Sequence, residues 1–281
     1  MRLHCLGTAG YHPNSTRHTS CYFLPESGIL LDAGSGIFRI TPLVQTRSLD
    51  ILLSHAHLDH ILGLTFLLDM LYQLRCEGRP VEQLRIWGEA EKIQAVRRHL
   101  FSELIFPVQL ETELGAKWCE IDSLDQFEIG ASEPIGSPDD PASPLVRGPA
   151  KVTWRPQQHP GGSVAYRIDW DSVSGQPGKR LVYATDTTGD VSDEGVRWSG
   201  QADLLMHECY FRDSGQAWAE KTGHCWTSRL IDVVRRSRPR KTLITHVNPL
   251  EMDENSVEIE SIGREVDGEV TVAEDGQVVD F

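Results

Sequence analysis

Residues 55–60 read His-Ala-His-Leu-Asp-His, so four groups able to bind a metal fall within six positions. His55 and His57 are two apart, and an extended backbone turns both imidazoles to one side. Asp59 and His60 come where the chain leaves the strand LDILLS and enters a helix, which directs them at a second, neighbouring point. A polar loop with incidental histidines is the bland alternative, but loops seldom gather such donors without a ligand. A two-metal site needs more donors than this cluster holds. Three stand at the ends of later strands: His159 in QQHPGGS, Asp186 closing RLVYATD and His246 closing KTLITH. Alone, each reads as a loop cap; beside the first cluster they read as ligands. Imidazoles with carboxylates suit Zn²⁺, and the two aspartates leave Mn²⁺ or Fe²⁺ open. Two such cations suit in-line displacement at phosphorus.

The elements that must hold these donors are strands alternating with helices. Residues 1–32 give three short β-type runs, RLHCLGT, TSCYFL and GILLDAG. After LDILLS, the stretch HILGLTFLLDMLYQLRCEG is apolar on most faces and predicts one helix packed on both sides. LRIWG follows as a strand and GEAEKIQAVRRHLFSELIF as an amphipathic helix. The later strands are KVTWRP, SVAYRID, RLVYATD, ADLLMHE and KTLITHV, with SRLIDVVRRS a helix between the last two. The acidic run EMDENSVEIESIGREVDGEV predicts the solvated face of a terminal helix. Such alternation indicates sheets covered by helices. We read residues 1–281 as a single domain, with the Pro- and Ser-rich stretch 131–150 a long surface loop.

Composition narrows the function classes. The chain has 281 residues, and 27 Lys and Arg against 41 Asp and Glu give a net charge of −14. With 40% hydrophobic and 24% charged residues it is a folded chain rather than a disordered one. The charge argues against broad adhesion to nucleic acid while leaving room for a local basic groove. No apolar run nears the roughly 18 residues of a membrane span. MRLHCLGTAG has no apolar signal core, and six scattered cysteines form no C-x-x-C pair, so a cytoplasmic protein with reduced thiols is expected. His4, His12, His18, His99 and His207 match no ligand position. His207 precedes Glu208 on a strand and so points the other way.

LGTAG, LLDAGSG, SHAHLDH, HPGGSVAYRI, YATDT and LITH, taken together, resemble the motifs of the metallo-β-lactamase superfamily, and most of all its ribonuclease Z branch. The resemblance runs almost end to end, and ADLLMHECYF and GHCWT resemble two motifs of the phosphodiesterase branch. It implies an α/β fold, a four-layer αββα sandwich. It implies two divalent metals, one on His55, His57 and His159, the other on Asp59, His60 and His246, with Asp186 and a hydroxide bridging them. Asp59 would also orient that hydroxide. Glu208 would hold His224, and His224 would protonate the leaving oxygen; the alternative for His224 is a cap on the helix SRLIDVV. A homodimer is implied as well.

The chain departs from that branch in places. His159 and Asp186 are 27 residues apart, too close for the extended arm with which the housekeeping enzymes grip tRNA. Cys225 and Trp226 stand where small residues are usual, and Cys209 where alanine is. The chain therefore also resembles the armless cyclic-phosphodiesterase branch. The expected function is dinuclear-metal phosphodiester hydrolysis, of an RNA 3′ end or a small cyclic diester. The competing readings are hydrolysis of a carboxylic ester, lactone or thioester, and a non-hydrolytic relative that binds a cofactor.

Overall fold

The structure is a computed structural model that describes residues 1–130, 133–135, 146–172, 175, 177–251 and 257–281. Most of the 131–150 stretch read as a surface loop lies outside the described residues. Contacts divide the chain into two compact units: Met1–Gly7, His18–Lys151 and Asp275–Asp280 form the first, and Thr8–Arg17, Val152–Glu274 and Phe281 the second.

The first unit is built on a sheet of β1 (Arg2–Gly7), β2 (Cys21–Leu24), β3 (Ile29–Leu31), β4 (Ser48–Leu52), β5 (Gln83–Gly88) and β6 (Lys117–Glu120), with Val278–Asp280 added beside β1. From β3 to β6 neighbours run parallel, while β1, β2 and β3 pair antiparallel. β4 is buried along its whole length, as a parallel strand covered on both faces must be. Asp50 within it is fully buried, and Arg85 and Trp87 on β5 and the Gly130 amide satisfy its oxygens at 2.7–3.1 Å. A further short strand, β7 (Phe127–Ile129), lies in this unit outside that sheet, with Phe127 stacked on Trp87.

The helix expected over 60–78 is three pieces: α1 (Leu58–Ile61), a 3₁₀ turn over Leu62–Phe66, and α2 (Leu67–Cys76). Gly63 explains the break. Its amide donates to Ala33 O at 2.8 Å, and a Cβ there would stand 2.3 Å from Gly34 O. The chain bends to touch the loop after β3, which a regular helix would not do. The helix expected over 88–106 also ends early. α3 (Ala90–Ala95) passes into a wide π-type turn at Val96–Leu100, and Leu104 and Ile105 are exposed. A shorter α4 (Leu110–Leu114) follows. Leu67, Leu71 and Leu74 of α2 bury their stripe with Leu30, Ile51 and Ile86 of the sheet, each contributing about 1.5–3 kcal/mol.

The second unit carries β8 (Ala150–Gln157), β9 (Ser163–Trp170), β10 (Lys179–Ala184), β11 (Leu204–Glu208), β12 (Lys241–Thr245) and β13 (Glu269–Val272), adjacent in that order. β10 through β13 run parallel, in a register that sets Ala184 beside His207 and Glu208 beside Thr245. Their C-terminal ends therefore share one edge, the usual place for ligands in parallel sheets. The crossovers are α5 (Asp193–Ser199), α6 (Gln216–Thr222) with α7 (Thr227–Ser237), and α8 (Ile259–Glu265). α7 buries Leu230, Val233 and Val234 with Leu205 and Ile244, while Ser228, Arg235 and Arg236 face out, the stripe its sequence period predicts. Of the acidic run, 252–256 lies outside the described residues; α8 forms from the rest, with Ile262 buried.

Candidate functional site

In the first unit the motif residues leave the C-terminal end of β4. His57 is extended (φ −70°, ψ 150°) and begins α1, so Asp59 and His60 lie in that helix's only turn. The rings of His55 and His57 are 4.4 Å apart and those of His55 and His60 4.3 Å apart. Asp59 Oδ2 lies 3.2 Å from His60 Nε2. All four predicted donors of this stretch thus converge.

Their orientation is set by residues behind them. His60 Nδ1 is 2.7 Å from Asp32 Oδ2, both side chains fully buried. Ser54 Oγ donates to Asp32 Oδ2 at 2.7 Å and lies 3.0 Å from His55 Nδ1. Partners on Nδ1 fix these rings and turn Nε2 forward as the ligand atom. Asp32 itself was not among the residues the sequence singled out. Its signal was present: LLDAG ends a strand parallel to the one that delivers SHAHLDH. Asp32 takes a left-handed backbone, φ 53°, its amide bonded to Leu52 O at 2.9 Å.

In the second unit the donors arrive from three strand ends. Asp186 follows β10 and is buried, again left-handed at φ 49°. Its Oδ1 lies 3.4 Å from His159 Nε2 and its Oδ2 3.2 Å from His246 Nε2. Each oxygen therefore faces a different imidazole, the disposition a carboxylate needs to span two cations. His159 Nδ1 is held by Gly223 O at 3.1 Å, and burial keeps this imidazole below its usual range, hence neutral as a ligand must be. His246 follows β12 at φ 52°. Such backbone outliers cluster at working sites, where each costs on the order of 1–3 kcal/mol.

Gly10, the last residue of LGTAG, supports His246. A Cβ at Gly10 would stand 2.2 Å from His246 Cε1, so only glycine lets the ring lie there.

Glu208 and His224 meet as expected. His224 Nδ1 lies 3.1 and 3.2 Å from the two Glu208 oxygens. The fully buried Glu208 also accepts from the amides of Thr187 at 2.6 Å and Cys225 at 3.1 Å. The capping alternative for His224 fails, because Trp226 occupies the N-cap position of α7. Asp186, His224 and His246 each present a donor atom within 4.8 Å of one another. Tyr210, unanticipated, stacks on His224 with centroids 4.6 Å apart. His207 behaves as expected: it is buried, with Nδ1 on Glu208 O at 2.7 Å, and burial lowers its pKa. Trp170 and Trp226 are buried and Trp218 exposed, so packing accounts for the first two.

Comparison with known proteins fits these observations. Residues 28–247 match the model of the beta-lactamase superfamily domain. The ribonuclease Z of Haloarcula marismortui is 27% identical over 98% of this chain and 95% of its own. Among solved structures, the metallo-beta-lactamase fold protein YhfI from Bacillus subtilis aligns over 99% of this chain and 98% of its own, with a TM-score of 0.67 and 21% identity. The human tRNase Z short form covers 100% and 99%, with a TM-score of 0.67 and 20% identity. The α/β fold expected from the motifs is the one these structures share. The family model spans the SHAHLDH stretch and all three later donors, and the chain belongs to the beta-lactamase superfamily.

Proposed function

We propose that the chain is a metal-dependent phosphodiesterase of the ribonuclease Z type. The observation that carries this is Asp186, with one oxygen toward each of two histidine Nε2 atoms, near a histidine held by a buried glutamate. Relatives named ribonuclease Z that align along nearly the whole chain support it. Divalent metal binding follows from the donor chemistry: imidazoles with carboxylates fit Zn²⁺, and less selectively Mn²⁺ or Fe²⁺. The residues proposed to hold two ions are His55, His57, Asp59, His60, His159, Asp186 and His246. When bound, such ions polarise the phosphoryl oxygens and supply a water of lowered pKa.

The protein's own groups do the rest. Asp59, at the start of α1, accepts a hydrogen bond from the attacking water and aims it at phosphorus. As the new P–O bond forms and the old one breaks, the leaving oxygen takes a proton from His224. Glu208 occupies Nδ1 of that imidazole, so the transferable proton sits on Nε2. Tyr210 keeps the ring plane fixed from one side. A carboxylic ester or lactone also expels an alkoxide that His224 could protonate, so the preference for the phosphodiester comes from the relatives named ribonuclease Z.

β9 and β10 are joined by residues 171–178 alone, which supports small diesters or short RNA 3′ ends as substrates over long tRNA. We read residues 1–281 as one catalytic domain because the family match runs across both units. No described helix is long and apolar enough to cross a membrane. A cytoplasmic location is supported by six cysteines that form no disulfide among the described residues, and a homodimer by exposed Leu58, Leu62, Phe66 and Tyr72. The test is a hydrolysis screen with added Zn²⁺ or Mn²⁺ over bis(p-nitrophenyl) phosphate, cyclic nucleotides, a lactone and pre-tRNA. Diester cleavage with an inert lactone is the expected result; lactone cleavage alone sinks the reading.

A further inference from the structure

A cleft of about 650 Å³ lies wholly in the second unit, between the end of β8, the loop after β10 and the start of α7. Its walls adjoin the proposed catalytic residues in sequence: Gln158 precedes His159, and Thr187 follows Asp186. The single buried carboxylate of Glu208 ties the parts together. It holds Thr187 N on one wall, Cys225 N at the foot of α7, and His224. The group that positions the proposed acid also positions the cleft.

The lining is polar and ready to bind. Thr188 Oγ1 donates to Gln158 Oε1 at 3.3 Å, and the Gln158 amide N–H groups make no hydrogen bond among the described residues. Asp190 is already engaged, by Arg155 at 3.6 Å and the Ser192 amide at 2.9 Å, and Glu220 by Gln216 at 2.9 Å. Arg229 differs: it lies over the Trp226 ring at 4.9 Å and makes no ion pair among the described residues. A guanidinium held on an aromatic face keeps its forked donors aimed, losing less freedom on binding than a mobile one. Gly189 is needed there, since a Cβ on it would meet Arg229 Cγ at 2.9 Å. An alkyl or acyl group in such a cleft would strand amides and guanidinium without partners, at a cost. A sugar and heterocycle would satisfy them, and the volume suits a ligand of that size.

We infer that this cleft is the nucleoside subsite of the reaction, with Arg229 as its specificity-determining residue. The inference rests on the phosphodiesterase reading: the nucleoside esterified to the scissile phosphate seats its base and sugar here.

Two measurements on the metal-loaded enzyme test it. The first is calorimetric binding of adenosine 5′-monophosphate against methyl phosphate. Tighter binding of the nucleotide, reduced about tenfold by Arg229→Gln and partly restored by Arg229→Lys, is expected. The second is the ratio of kcat/KM on a dinucleoside monophosphate to that on methyl p-nitrophenyl phosphate. Arg229→Gln should lower this ratio about tenfold, mainly through KM, and Gln158→Ala should lower it less. A ratio within twofold of wild type in the Arg229→Gln variant overturns the subsite, as does equal affinity for the nucleotide and methyl phosphate. If wild type cleaves neither diester, the phosphodiesterase reading fails, and the calorimetry still decides whether the cleft takes a nucleoside.

Discussion

Asp32 and Asp186 occupy the same kind of place. Each comes within two residues of the end of a strand with a parallel neighbour, each is buried, and each has a left-handed backbone, φ 53° and 49°. Their work differs. Asp32, in the first unit, faces Nδ1 of His60 and a serine hydroxyl, so it acts through the histidine it orients. Asp186, in the second, faces Nε2 of two histidines, the atoms that would bind metal. Backbone geometry delivers a carboxylate to the sheet edge; the nitrogen it meets decides whether it is a ligand or a support.

The hardest blow to that distinction is aimed at Asp186. Asp186→Asn should lose bound metal by elemental analysis and cut turnover of every diester about 10³-fold, as expected when several kcal/mol of transition-state stabilisation vanish. Two ions in the fully loaded variant would remove Asp186 from the ligands. Next comes the pair behind the proposed acid. His224→Ala should slow esters with alkoxide leaving groups by about 10²-fold or more while sparing metal content, and p-nitrophenyl diesters should lose far less. Equal losses on both ester types would make His224 a ligand or a structural residue. Asp32→Asn should weaken metal binding by only about 10–100-fold, recoverable at high metal concentration. If it instead matches Asp186→Asn under saturating metal, the contrast between support and ligand collapses.

The smallest effect concerns His207, on the far face of β11 from Glu208. Burial holds its pKa below the unfolded value of about 6.5. Below that pH the unfolded chain takes a proton that the folded one resists, so stability falls as pH drops from about 6.5 toward the folded pKa. The slope is at most about 1.4 kcal/mol per pH unit. His207→Gln should flatten this limb in urea titrations between pH 7 and 5 without altering metal content. An unchanged slope would show that the buried imidazole is not what resists protonation.

The first unit's donors were legible because they are contiguous: SHAHLDH states its chemistry without a fold. His159, Asp186 and His246 needed the further idea that strand ends gather along one edge, and the parallel register of β10 to β12 supplies it. Asp32 and Gly10 escaped notice for a physical reason. A lone aspartate or glycine after a strand is ordinary turn chemistry, and only the imidazole packed against each makes it more. Helix lengths failed where tertiary contact overrides periodicity: apolar spacing continues through Gly63, but the close approach to Gly34 O does not allow a regular helix.

The division of the chain between its units bears on how it is made. β1 pairs Arg2 with Asp280 and His4 with Val278, and the His18 amide donates to Asp275. Thr8–Arg17 meanwhile belong to the other unit, where Ala9 bridges to Val247 and Arg17 bonds Ala273 O. Each unit thus joins residues from the first twenty to residues beyond 245. Neither can close until those late residues have been made, a wait on the order of ten seconds or more at ordinary elongation rates. During that interval β1 is an unpaired edge, and the backbone that cradles His246 has nothing to hold. Closure of each unit is therefore expected to wait for the residues beyond 245.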